Sequence, residues 1–129
     1  MSDIKPKKTQ LATGFGGSYE DTEQPLSLDK LANQVPSATF YFRVSGDNKG
    51  ANLGDGDIAV VDRSLDPVNN AIIVAVVDSE LVIRRYMENE DSIELFRDSD
   101  EPSEVMVKEE FELWGVVTYS FKQHWPVND

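Results

Sequence analysis

A chain of 129 residues is the length of one domain, enough to bury a sizeable core. Its 24 acidic residues against 12 basic ones leave a formal net charge of −12, a surface that repels phosphate and argues against direct nucleic acid binding. With no cysteine, disulfides, thiol nucleophiles and thiolate metal sites are excluded together; that composition suits the cytosol, and the sequence shows neither a secretory leader nor an apolar run long enough to span a bilayer.

Residues 1–25 read as a flexible arm. Pro6, Gly14, Gly16, Gly17 and Pro25 interrupt any periodicity, and the charge turns from basic at Lys5, Lys7 and Lys8 to acidic at Glu20, Asp21 and Glu23. Ser27 is placed to cap a short helix that runs to about Asn33, with Leu28 and Leu31 on one face and Pro36 blocking its continuation. From Ala38 the pattern becomes strand-like, because Ala38 to Val44 is rich in aromatic and β-branched residues. A polar loop from Gly46 to Gly56 leads into a second strand, Asp57 to Asp62. The continuous apolar run from Ala71 to Val77 predicts a buried strand. Asp78-Ser79 forms a tight turn into Leu81 to Tyr86, and further strands are expected at Ser92 to Phe96 and Phe111 to Tyr119. The acidic stretch Asp98 to Pro102 reads as a solvated loop. Short strands separated by turn signals predict a mainly β, antiparallel fold occupying residues 26–122, with 123–129 as a tail.

Several segments, in order and at matching spacings, carry a family resemblance. They are Pro36-Ser37-Ala38-Thr39, Ser45-Gly46-Asp47, Asp55-Gly56-Asp57 before Ile58 to Asp62, Ala75-Val76-Val77-Asp78, and Trp114-Gly115-Val116-Val117. Together they resemble the UmuD branch of the LexA/UmuD serine peptidase family over about residues 25 to 121. The resemblance implies a compact domain like the LexA/UmuD C-terminal domain, and homodimers. It implies that the domain cuts its own arm when stimulated by a RecA filament. It also implies service as an accessory subunit of an error-prone Y-family translesion polymerase in the DNA-damage (SOS) response. An arm of about 25 Gly-rich residues leaves no room for the helix-turn-helix domain of the repressor members.

The departures from the family pattern fall on its chemistry. Where the family reads Ser-Gly-Asp-Ser-Met, this chain reads Ser45-Gly46-Asp47-Asn48-Lys49, so Asn48 stands at the nucleophile position. Where a strand carries the lysine base, this chain reads Leu81-Val82-Ile83-Arg84-Arg85, so Arg84 stands at the base position. A serine hydroxyl needs a base to take its proton, and a desolvated lysine can serve as one. An amide is not a competent nucleophile, and a guanidinium stays protonated and has no lone pair to offer. Arg85 shares that defect and projects to the opposite strand face. The loop from Asn48 to Asp55 is also about one residue tighter than in cleavable relatives. Relatives are cut at a small-residue–Gly bond in the arm. The corresponding candidate here is Thr13-Gly14, a vestigial cleavage site, against the plainer reading of a flexible Gly-rich tail.

Other residues read as structural. His124, the sole histidine, lies in a terminal segment. Asp55, Asp57 and Asp62 read as turn and strand-end residues, without the spacing of an EF-hand loop. No metal or cofactor is expected. Phe40, Tyr41 and Phe42 are expected in the core and at a dimer face.

The sequence therefore predicts a catalytically inactive, UmuD-like, cytoplasmic regulator acting by protein contacts. Its expected partners are a second copy, an active UmuD-type protein in a heterodimer, a Y-family polymerase and the RecA filament. Direct nucleic acid binding and membrane association are not expected. Two alternatives stand beside it: a self-cleaving peptidase using displaced residues such as Ser45 with Lys49, and a mobile-element decoy of the RecA-stimulated pathway.

Overall fold

The computed structural model describes residues 27–33 and 35–125. Helix α1 spans Leu28–Ala32; the Ser27 hydroxyl caps it by accepting the Lys30 N–H at 3.2 Å, and it ends at Asn33, whose N–H donates to the Asp29 carbonyl. Pro36–Ala38 forms one 3₁₀ turn, the fixed φ of proline suiting its first position.

Seven strands follow: β1 Thr39–Arg43, β2 Ile58–Asp62, β3 Ile72–Val77, β4 Glu80–Glu88, β5 Ser92–Phe96, β6 Glu104–Val107 and β7 Leu113–Phe121. They form one antiparallel sheet in the order β1-β2-β7-β3-β4-β5-β6. Thus β7, last in the chain, closes the middle between β2 and β3. β3 and β4 are joined through Asp78 and Ser79, both in the left-handed region at φ 52° and 69°. That pair of positive angles makes a two-residue hairpin turn whose twist matches the strands. β6 has no counterpart among the strands expected from the sequence.

Alternation along β3 distributes the core to both sheet faces. Val74 packs with Val44, Ala51, Leu53, Ala59 and Val61, so the 44–53 loop roofs one face. Ile73 and Ala75 pack with Tyr86, Ile93, Leu95 and Val116 on the other. Burial of a large aliphatic such as Ile73 or Leu95, each with no exposed surface, contributes roughly 1.5–3 kcal/mol. The register slips at Val60/Val61 against β7 and at Val74/Ala75 against β7. Gly115 sits between these irregularities because a Cβ there would collide with the Val61 side chain.

The aromatics of β1 divide by alternation. Phe40 and Phe42 both pack on Trp114, with ring centroids 5.2 and 5.1 Å away, and Arg63 lies over the same indole at 4.1 Å. Tyr41 faces the other way and is about half exposed.

Candidate functional site

The loop between β1 and β2 is shaped by carboxylates and one amide. Asp55 accepts the Gly46 N–H at 2.6 Å, and Asp47 accepts the Asp55 N–H at 3.0 Å. Asp57, buried at the foot of β2, accepts the Gly54 N–H and the Lys122 ammonium, each at 2.8 Å. The Lys122 hydrogen bond, helped by the Gly54 amide, holds the Asp57 carboxyl below its ordinary pKa. Lys122 follows β7 directly, so this pair ties the end of the sheet to the loop. Asp62 accepts both the amide and the hydroxyl of Ser64. Asp55, Asp57 and Asp62 therefore act as turn or strand-end acceptors, and Asp47 joins them within the loop.

Asn48 is buried at the centre of this loop. Its backbone pairs with Leu53 in both directions, at 2.8 and 3.0 Å. Its side chain uses both ends: Oδ1 accepts the Ala51 N–H at 3.0 Å, and Nδ2 donates to the Ile83 carbonyl at 2.8 Å. β5 pairs with β4 only from Arg85 onward, so Asn48 caps a β4 carbonyl just before that pairing begins. Gly50 completes the contact by donating its N–H to the Arg97 carbonyl at the end of β5. A side chain at Gly50 would overlap that carbonyl.

Arg84 reaches the same place from β4. Its Nη1 donates to the Ile83 carbonyl at 2.9 Å. Its Nε and Nη2 hold the two carboxylate oxygens of Glu104 at 2.8 and 3.2 Å, a fork-to-fork pair largely shielded from water. Arg85 projects to the opposite face, as expected, and stacks on Phe96 with its guanidinium carbon 4.4 Å from the ring centre.

Asn48 and Arg84 border one cleft of about 550 Å³, with Phe42, Val44, Ile83 and Arg97 among its other walls. The structure thus brings together the two residues that the sequence singles out 36 positions apart. Ser45 also lines this cleft, whereas Lys49 lines a separate depression with Arg85 and Asp98. Thr13 and Gly14 lie outside the described residues. His124 is exposed. Among the described residues no group of three or more His, Cys, Asp or Glu is placed to hold a metal ion, and no helix is long and apolar enough to cross a membrane. The residue that sequence reasoning missed is Glu104, the carboxylate that fixes Arg84.

A family model described as Peptidase S24-like matches residues 9–118. The chain belongs to this family. Protein MucA of Salmonella typhimurium is 33% identical over 126 residues, covering 89% of this chain and 82% of MucA. Protein ImpA of Shigella flexneri is 33% identical over 109 residues, covering 82% of this chain and 74% of ImpA. LexA repressor 1 of Geobacter sulfurreducens is 34% identical over 79 residues, 60% of this chain but only 38% of the repressor. The chain is a UmuD-like member of the LexA/UmuD family, and its antiparallel β domain is the fold expected of one.

Proposed function

We propose that this chain is a non-cleaving UmuD-like regulator of the DNA-damage response. It acts through protein contacts with a translesion polymerase or a UmuD-type partner, as a homodimer or as one half of a heterodimer. The observation that carries this reading is the state of Asn48 and Arg84. The Asn48 side chain bonds backbone groups at both ends, leaving one N–H and one lone pair of its amide, and Arg84 is clamped by Glu104. Neither offers the hydroxyl or the neutral amine that acyl transfer by a serine–lysine pair requires. Placement of Ser45 and Lys49 on different depressions argues against a displaced pair.

On this reading the cleft serves recognition. Asn48 and Arg84 line it as hydrogen-bonding walls, and an arm that docks there is held without being cut. Catalytically silent, the protein can occupy the place of an active UmuD-type subunit and prevent or delay maturation of the complex that contains it.

An affinity capture from DNA-damaged host cells, with the bound proteins identified by mass spectrometry, tests the proposal. Enrichment of a Y-family polymerase or a UmuD-type protein supports it. Enrichment of neither, with or without some other protein, overturns it.

A further inference from the structure

β6 is an edge strand, paired with β5 alone among the described strands. Its inward side chains are committed: Glu104 holds Arg84, and Met106 packs against the core. Its outward ones are not. Val105 is 59% exposed and Val107 47% exposed, opposite Glu94 and Ser92 on β5. Edge strands in soluble proteins are protected from pairing by shortness, by inward-pointing charge, or by a lysine, a proline or a bulge. β6 is short, but its inward charge is neutralised by Arg84, no lysine, proline or bulge interrupts Glu104–Val107, and its register against β5 is unbroken.

The surroundings say what could pair there. From Asp98 to Glu112 the chain carries seven carboxylates against a single lysine. That lysine, Lys108, is held by Glu88 at 3.0 Å. A second copy of the same edge would set two acidic rims against each other, and a nucleic acid would be repelled in the same way. A basic strand meets neither obstacle.

We propose that β6 is a strand-addition site for an extended, basic segment of another protein. Backbone hydrogen bonds along the open edge bind the segment, alternate aliphatic side chains cover Val105 and Val107, and lysine or arginine side chains at the other positions meet the acidic rim. This surface lies on β6 and does not depend on whether the cleft cuts peptides.

The test uses the whole protein and two synthetic peptides, one alternating valine with lysine and one alternating valine with glutamate. Binding is read by titration calorimetry and by amide hydrogen exchange over Glu104–Val107. The lysine peptide is expected to bind and to slow exchange of those amides, and the glutamate peptide to do neither. Val105→Lys combined with Val107→Lys places like charge on the docking face and should weaken binding by about tenfold or more. Leu65→Lys combined with Val68→Lys makes the same change of charge at exposed positions elsewhere and should leave the affinity within about twofold. Absence of binding, unaltered exchange at β6, equal binding of the glutamate peptide, or equal weakening by both double variants overturns the proposal. Should the β6 variant fail to fold, the exchange result on the unaltered protein decides.

Discussion

Asn48 and Arg84 converge on a single atom: both donate to the carbonyl oxygen of Ile83, at 2.8 and 2.9 Å. A carbonyl oxygen has two lone pairs, and here both are used. Asn48 and Arg84, which the sequence resemblance sets at the family's nucleophile and base positions, form a structural joint between the β1–β2 loop and the end of β4 that β5 leaves unpaired.

Asn48→Ser separates that joint from the family's chemistry. A serine hydroxyl is one bond shorter than the amide, so it cannot accept from Ala51 and reach Ile83 at once. The variant should lose about 1–2 kcal/mol of stability, the net value of a partly buried hydrogen bond and its orphaned partner. Urea denaturation measures it; a variant as stable as the parent would show that the Asn48 amide does not hold the loop.

Arg84 and Glu104 should behave as a coupled pair. Glu104→Ala strands a shielded guanidinium and is expected to cost about 2–3 kcal/mol, toward the low end for such pairs because both groups keep some contact with water. Adding Arg84→Met should recover much of that loss, since an unpaired charge is removed along with its partner. Thermal unfolding of the two single variants and the double variant gives the coupling; additive losses would mean that the pair contributes nothing as a pair.

Much of this architecture was legible in the sequence. The aromatic and β-branched stretch at β1, the apolar run of β3 and the Asp78-Ser79 turn each carry a local signal strong enough to place an element. The Ser27 cap gave the short helix for the same reason. β6 carried no such signal: Glu-Val-Met-Val is four residues long, set in an acidic segment, and is a strand only because β5 lies beside it. Glu104 was hidden with it. Its pairing with Arg84 spans 20 positions and depends on the order β4-β5-β6, which no local pattern encodes. Asn48 was found as a departure from a motif, but its second role depends on the Ile83 carbonyl, 35 positions away.

Two titrations should bound the stability profile. The Lys122 hydrogen bond and the Gly54 amide depress the Asp57 pKa in the folded state. Its contribution is therefore present above the ordinary value of 3.8 and lost as pH falls through the lower, folded one. Lys122 is more than half exposed, so salt should reduce the effect. Asp57→Asn should flatten the acid limb of the curve. At the other end, burial first and the hydrogen bond to Glu88 second push Tyr86 from 10.0 up to about 12. The folded state then keeps a proton that the unfolded chain releases, so stability falls as pH rises from 10.0 toward 12. Tyr86→Phe should remove that alkaline limb. Denaturation midpoints across pH check both; an unchanged limb in either variant would contradict its assignment.

Two glycines of the site loop should differ in their tolerance of alanine. At Gly50 the added methyl meets the backbone of Arg97, the residue directly after β5, and the Phe96 carbonyl at the end of that strand. A cost of about 2 kcal/mol or more is expected, as for other forced overpacking. At Gly54 the nearest atom is the Lys122 ammonium at 3.1 Å, the end of a flexible side chain, so Gly54→Ala should cost less than about 1 kcal/mol. Chemical denaturation of both variants ranks them; the reverse order would refute the close approach of the loop to β5.

The most direct test of the non-cleaving assignment is intact mass spectrometry of the full chain after incubation with RecA filaments on single-stranded DNA and nucleotide. A cleavable UmuD-type protein in the same tube serves as the internal control. The account predicts that the control is cut while this chain remains one species of 14.4 kDa. Appearance of two fragments whose masses sum to that of the chain plus one water, with a new terminus at Gly14 or elsewhere in the arm, would contradict it and restore the peptidase reading.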